Sequence, residues 1–184
     1  MGVNWAACLI RWQPHVRRNG ERLSLSHLHP FRFEVRFAAD GGRPPRVVEI
    51  QVGFTCHVFT CDIDNAGTTP ELYSDKRETR AFDEERYNWS FRLKGILTEL
   101  EKRKCYFARR EHFVTFVDEG VRPGYEYRVF FTVRRKNPST VELLVQSAYI
   151  GRKELRPRGQ SKQPIGFRAI VTNVILQRAL TEAR

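Results

Sequence analysis

Two long runs of period-two alternation in the C-terminal half constrain this chain more than any other feature. In Tyr125-Glu-Tyr-Arg-Val-Phe-Phe-Thr-Val-Arg134, Tyr125, Tyr127, Val129, Phe131 and Val133 share one face, opposite Glu126, Arg128, Thr132 and Arg134. In Val141 to Ile150, Val141, Leu143, Val145, Ser147 and Tyr149 oppose Glu142, Gln146 and Ala148. This is the pattern of strands that bury one face. Lys136-Asn137-Pro138-Ser139 between them supplies turn residues, so the two runs are expected to pair.

The same reasoning extends to the rest of the chain. Phe31 to Phe37 alternates cleanly, and Asp40-Gly41-Gly42-Arg43-Pro44-Pro45 reads as a hairpin connection. Val47 to Asp62 reads as one long strand with Val48, Ile50, Val52, Phe54, Cys56 and Val58 apolar, Glu49, Gln51, Thr55 and His57 opposite, and Gly53 available for a bulge. Loop residues fill Asp64 to Asp75. Phe82, Trp89, Leu93, Ile96, Leu97 and Leu100 then recur at helical spacing, with Asp83 near the start and Lys102-Arg103-Lys104 at the dipole's negative end. Phe113 to Val117 adds a strand, and a closing helix from about Pro164 gathers Phe167, Ile170, Val171, Val174 and Ile175. The expected fold is α+β, an antiparallel sheet of about five strands in the order β-β-α-β-β-β-α with helices packed on one face. Residues 1–24 read as a basic and aromatic N-terminal arm with Trp5, Trp12, Arg11, His15, Arg17, Arg18 and Arg22. Residues 25–184 read as a single α+β domain.

Charge narrows the partners. The chain has 32 Lys+Arg against 21 Asp+Glu, a formal net charge of +11, and 25 of the basic residues are arginine. Arginine's planar fork suits phosphate and can stack on bases, so a nucleic acid or an acidic protein is the expected partner. No apolar run is long enough to span a bilayer, and Trp5 to Ile10 is too short for a secretory signal. Cys8, Cys56, Cys61 and Cys105 form no disulfide framework, so four free thiols and a cytoplasmic location are expected.

Motifs of known chemistry are few. His27, His29, His57 and Cys61 match no zinc-finger spacing, and Cys56 and Cys61 on one strand point to opposite faces, so neither metal nor cofactor is expected. There is no phosphate-cradling glycine loop and no nucleophile elbow. The polar sheet face is the stronger candidate, because Arg32, Arg36, His57, Arg128, Arg134 and Gln146 would point away from the helices. The basic stretch carrying Arg152, Lys153, Arg156, Arg158 and Lys162 would add phosphate contacts.

The text Tyr125-Glu-Tyr-Arg-Val-Phe-Phe-Thr-Val-Arg-Arg, followed by Val141-Glu-Leu-Leu-Val-Gln-Ser-Ala-Tyr149, resembles the central hairpin of the RelE/HigB superfamily of bacterial ribonuclease toxins over roughly residues 82–180. The whole chain also looks like proteins of proteobacterial mobile elements. The resemblance implies a metal-independent endoribonuclease acting on RNA, with an acidic antitoxin as a further partner. Arg128 would contact phosphate, Arg134 would stabilise charge, and His57 or Tyr149 would serve as acid or base. The other class left open is a non-catalytic binding or accessory protein using the same basic residues.

Overall fold

The computed structural model describes residues 5, 9–39, 44–108, 112–155, 160–161 and 163–177. In chain order, a short pair β1 (His15–Val16) and β2 (Arg22–Leu23) precedes β3 (Phe31–Phe37) and β4 (Arg46–Phe54). A small three-stranded sheet follows, built from β5 (Thr60–Cys61), β6 (Leu72–Ser74) and β7 (Thr79–Phe82). Two short helices, α1 (Glu84–Ser90) and α2 (Leu93–Thr98), lead to β8 (Lys104–Ala108), β9 (His112–Val117), β10 (Tyr125–Asn137) and β11 (Thr140–Arg152), and the described chain closes with β12 (Pro164–Gly166) and α3 (Phe167–Ile175).

The main sheet has seven strands in the order β12-β8-β9-β10-β11-β4-β3 and curls into a half-barrel. All its pairings are antiparallel except β11 with β4. The parallel register sets Val141 beside Ile50, Leu143 beside Val52 and Val145 beside Phe54. On the other side of β4, Phe31, Phe33 and Val35 lie against Val52, Ile50 and Val48. With Phe131 and Val133 of β10 beside Val145 and Leu143, one continuous apolar face crosses four strands, which is why alternation is so clear in each. That face packs on α3, whose Phe167, Ile170, Val171 and Ile175 are buried at helical spacing. Phe167 meets Phe33 and Phe131 at 6.4 Å between ring centroids.

The expected five-stranded antiparallel sheet with helices on one face is corrected to this seven-stranded mixed sheet accompanied by small sheets and few helices. Three local causes account for the difference. β8 carries little alternation because both faces are covered beyond Lys104: Cys105 and Ala108 are buried and Tyr106 and Phe107 half-buried. β4 stops at Phe54, and Cys56–Val58 turns off the sheet as a 3₁₀ turn, so His57 is not a strand residue. The expected helix from Phe82 is split, with Asp83 capping α1 by accepting from Arg86 N at 3.0 Å. The break follows Ser90, whose hydroxyl donates to the Tyr87 carbonyl at 2.6 Å and competes with the helical ladder. Gly53 keeps its register with Leu144; the register shifts lie in the β10–β11 pair, after Phe130 and after Arg135.

Two expected outcomes follow from the packing. Phe131 is fully buried between Phe113 and Phe167, so Phe131→Ala should cost about 3–5 kcal/mol in urea unfolding; a loss below about 1 kcal/mol would contradict this core. His27 stacks on Phe91 at 3.7 Å and lies 2.6 Å from Ser90 Oγ, and burial, aided by His29, lowers its pKa from 6.5 to about 4. Between about pH 6.5 and 4 the unfolded chain takes up a proton that folded His27 refuses, so stability present above that window falls as pH falls through it. His27→Gln should lose less stability than wild type across this window, and equal losses would refute the assignment.

Candidate functional site

The N-terminal segment and the β6–β7 hairpin enclose a groove. Gly20, at φ 85°, makes the turn between β1 and β2, and Asn19 Oδ1 accepts from Glu21 N at 2.9 Å. Glu71 fastens this short hairpin: one carboxylate oxygen accepts from Arg18 N at 3.2 Å and the other lies 3.3 Å from His15 Nε2. The Arg18 side chain donates to the carbonyls of Thr69 and Pro70 at 3.1 and 2.9 Å. His15 stacks on Phe82 at 4.0 Å. Trp12 is thereby carried into the core, edge-on to Phe59 at 5.3 Å and to Tyr73 at 6.2 Å.

On the opposite wall, Asp75 shapes the tip of the β6–β7 hairpin. Its Oδ1 accepts from Arg77 N at 2.7 Å and from Glu78 N at 3.0 Å, while Arg77 Nη2 reaches Oδ2 at 2.7 Å. Burial works against the Asp75 carboxylate, but these donors outweigh it and hold its pKa below the ordinary value. The resulting groove has a volume of about 730 Å³, with Ile10, Trp12 and Tyr73 as its apolar wall and Arg11, Lys76 and Arg77 as its cations. The Arg77 guanidinium sits 5.9 Å over the Trp12 ring. Tyr73 donates its hydroxyl proton to the Gln13 carbonyl at 3.2 Å, whereas the buried indole N–H of Trp12 finds no acceptor among the described residues. A concave wall of Trp12 and Tyr73 with Arg11 and Lys76 beside it can hold an anionic ligand with a flat apolar part.

The residues expected on the polar sheet face are distributed differently. Arg32, Arg36, Arg128 and Arg134 do lie on the face opposite α3, and each meets a carboxylate. Arg32 pairs with Glu49 at 3.4 Å and Arg36 with Glu34 at 3.5 Å. Arg134 Nε and Nη2 both reach Glu142 Oε2 at 2.6 Å, and its guanidinium lies 4.4 Å from the Trp5 ring. Arg128 is 4% exposed, pairs with Glu126 at 2.9 Å and donates to the Arg152 carbonyl. Tyr149 is the cross-strand neighbour of Arg128 and stacks on Phe130, with Arg86 at 5.2 Å over its ring. His57 lies on the 3₁₀ turn, 3.0 Å from Glu78 Oε1, and Arg86 binds its carbonyl at 2.9 Å. Arg86 thus links the His57 backbone to Tyr149, but Arg134 belongs to a separate network with Glu142 and Lys136.

The basic stretch after β11 begins beside Tyr125, whose ring lies under Arg122 at 3.9 Å and Arg152 at 6.0 Å. Lys153 pairs with Asp118 at 2.9 Å. Arg156, Arg158 and Lys162 lie outside the described residues, as does Cys8, while Cys56, Cys61 and Cys105 are free thiols. The groove was not legible as a site: Arg11-Trp12 and Lys76-Arg77 are visible as basic-aromatic text, but the long-range contacts of Glu71, Arg18 and Tyr73 that bring them together are not.

Comparison with known proteins gives one family match, to the YjaZ family over residues 14–175. No curated protein and no solved structure matches the chain. The match spans most of the sequence, including the strands that suggested RelE/HigB, and replaces that resemblance. In the fold, those strands continue through a parallel pairing onto β4.

The burial of Arg128 has a direct consequence. A Cβ on Gly151 would lie 2.7 Å from Arg128 Cζ and within 3.0 Å of two of its nitrogens, at 2.8 and 2.9 Å. Gly151→Ala should therefore displace the guanidinium from Glu126. Arg128→Ala should cost about 3 kcal/mol or more by leaving that carboxylate unpaired. Thermal melts of both variants near wild type would show that Arg128 is not a structural residue.

Proposed function

The chain belongs to the YjaZ family, and we propose that its groove beside Trp12 binds single-stranded nucleic acid, RNA in preference to DNA. The observation that carries this reading is the groove walled by Trp12 and Tyr73 and bearing Arg11, Lys76 and Arg77. Arg77, already lying over the indole, offers a planar cation on which a base can stack. Arg11 and Lys76 would contact the backbone, and the net charge of +11 would draw the polyanion in. Single strands are favoured because their unpaired bases can enter a groove of this size, and RNA is favoured because recognition of looped RNA uses this stacking-and-edge chemistry.

Binding is proposed rather than cleavage. Arg128 and Arg134, the groups that would stabilise developing charge, are already neutralised by Glu126 and Glu142. The basic group around Tyr125, Arg122 and Arg152 would be a secondary contact, since Lys153 beside it is paired with Asp118.

Titration of a fluorescent oligouridylate at several salt concentrations tests the reading. Single-strand binding loses affinity with a log–log slope of about −0.7 per phosphate contact, so replacing Arg11 and Lys76, the two backbone contacts, together with Arg77 by Ala should flatten the slope by about 1.4. Arg152→Ala with Lys153→Ala should change it less. An unchanged slope in the groove variant would remove the groove from the interface. No binding by wild type at low salt would end the nucleic-acid reading and leave an acidic protein as the partner.

A further inference from the structure

The departure of β4 from the sheet creates a second cluster, independent of the groove's ligand. Cys56 and His57 are adjacent in the 3₁₀ turn, and Glu78 comes from the start of the β7 hairpin arm. Glu78 Oε1 accepts from Cys56 Sγ at 3.1 Å and lies 3.0 Å from His57 Nε2. The three ligating atoms all lie within 4.8 Å of one another. We propose that Cys56, His57 and Glu78 form a binding site for a divalent cation of the zinc type.

The geometry admits a cation in place of the hydrogen-bonded trio. Zinc bonds sulfur at about 2.3 Å and imidazole nitrogen or carboxylate oxygen at about 2.0–2.2 Å, so tetrahedral ligands stand roughly 3.3–3.7 Å apart. The Sγ–Oε1 and Nε2–Oε1 separations of 3.1 and 3.0 Å need only small expansion to admit the ion. The ligand set of one thiolate, one imidazole and one carboxylate suits zinc better than calcium or magnesium, which take oxygen.

Charge also closes. The cation displaces the thiol proton to solvent as a hydrogen ion and forms the metal–sulfur bond; a neutral imidazole and the Glu78 carboxylate complete a site of zero net charge. Glu78's other oxygen lies 3.5 Å from Arg80, which also pairs with Asp62 at 2.8 Å, so the carboxylate is oriented from behind. His57 and Glu78 are 37% and 36% exposed, while Cys56 is buried, which leaves a fourth, solvent-facing position for water or a ligand atom.

Cobalt and zinc titrations of the full chain test the site. One equivalent of Co²⁺ should produce a near-ultraviolet thiolate-to-metal charge-transfer band, and Zn²⁺ should abolish it competitively. Cys56→Ser should lose the band. His57→Ala and Glu78→Gln should each weaken binding by roughly tenfold or more, as loss of even supporting groups does at metal sites. Absence of stoichiometric uptake by wild type would overturn the proposal, as would a band that persists in Cys56→Ser, which would assign the metal to another thiol. If Cys56→Ser does not fold, the other two variants decide: undiminished affinity in both overturns the site. None of these readouts involves nucleic acid, so failure here leaves the groove reading untouched.

Discussion

β4 runs parallel to β11 as far as Phe54 beside Val145 and then leaves the sheet, and both candidate sites descend from that departure. The pairing is specified by matched apolar residues on the core face, where slipping β4 by one position would turn Ile50, Val52 and Phe54 towards solvent. At the exit, Thr55 N donates to the Val145 carbonyl at 3.0 Å and Thr55 Oγ1 to the Gln146 carbonyl at 2.7 Å. The chain therefore leaves without stranding β11's carbonyls, and Arg86 locks the turn by binding the carbonyls of His57 and Thr60, each at 2.9 Å. Cys56 and His57 are fixed there, the small sheet is built outward, and its β6–β7 hairpin supplies Glu78 to the cluster and Asp75, Lys76 and Arg77 to the groove.

A chain with net charge +11 would be expected to spread bare cations over any open face, yet the sheet face opposite α3 is compensated strand by strand. Glu49, Gln51, Glu142 and Lys136 tie Arg32 and Arg134 into one network running from β3 to β10. Buried carboxylates such as Glu142, 4% exposed, need those arginines to be tolerable. Cations without a paired carboxylate among the described residues include Arg11 and Lys76 at the groove and Arg122 and Arg152 beside Tyr125, which is where a polyanion meets the least competition. Among the described residues no helix is long and apolar enough to cross a membrane.

What the sequence made legible follows from how each element buries its side chains. β3 and β4 cover one face and leave much of the other open, while β10 and β11 set Arg128, Thr132, Arg134 and Glu142 opposite apolar residues even where both faces are covered, so alternation survives in the text of all four, as does the amphipathic spacing of α3 and the Asp83 cap. β8 is covered on both faces from Cys105 to Ala108 and left no period to read, and β12 is only three residues long. Parallel pairing between strands about ninety residues apart has no local signal, which is why a simple meander is the natural expectation. The candidate sites were less legible still. His57 reads as a strand residue until Thr55 turns the chain, and nothing in the spacing joins Glu78 to Cys56. Arg128 reads as a free cation because its partner, two residues away on the same face, looks like ordinary strand polarity.

The central claim is that nucleic acid enters between Trp12 and the Asp75–Arg77 hairpin tip. Photocrosslinking a 4-thiouridine oligonucleotide to the full chain, followed by mass-spectrometric mapping of the modified peptides, tests it most directly. Crosslinks are predicted on residues 10–13 and 73–77, lost on competition with unlabelled oligouridylate. Crosslinks confined to the Tyr125–Lys153 end of the sheet, or none above those of a protein without affinity for RNA, would contradict it.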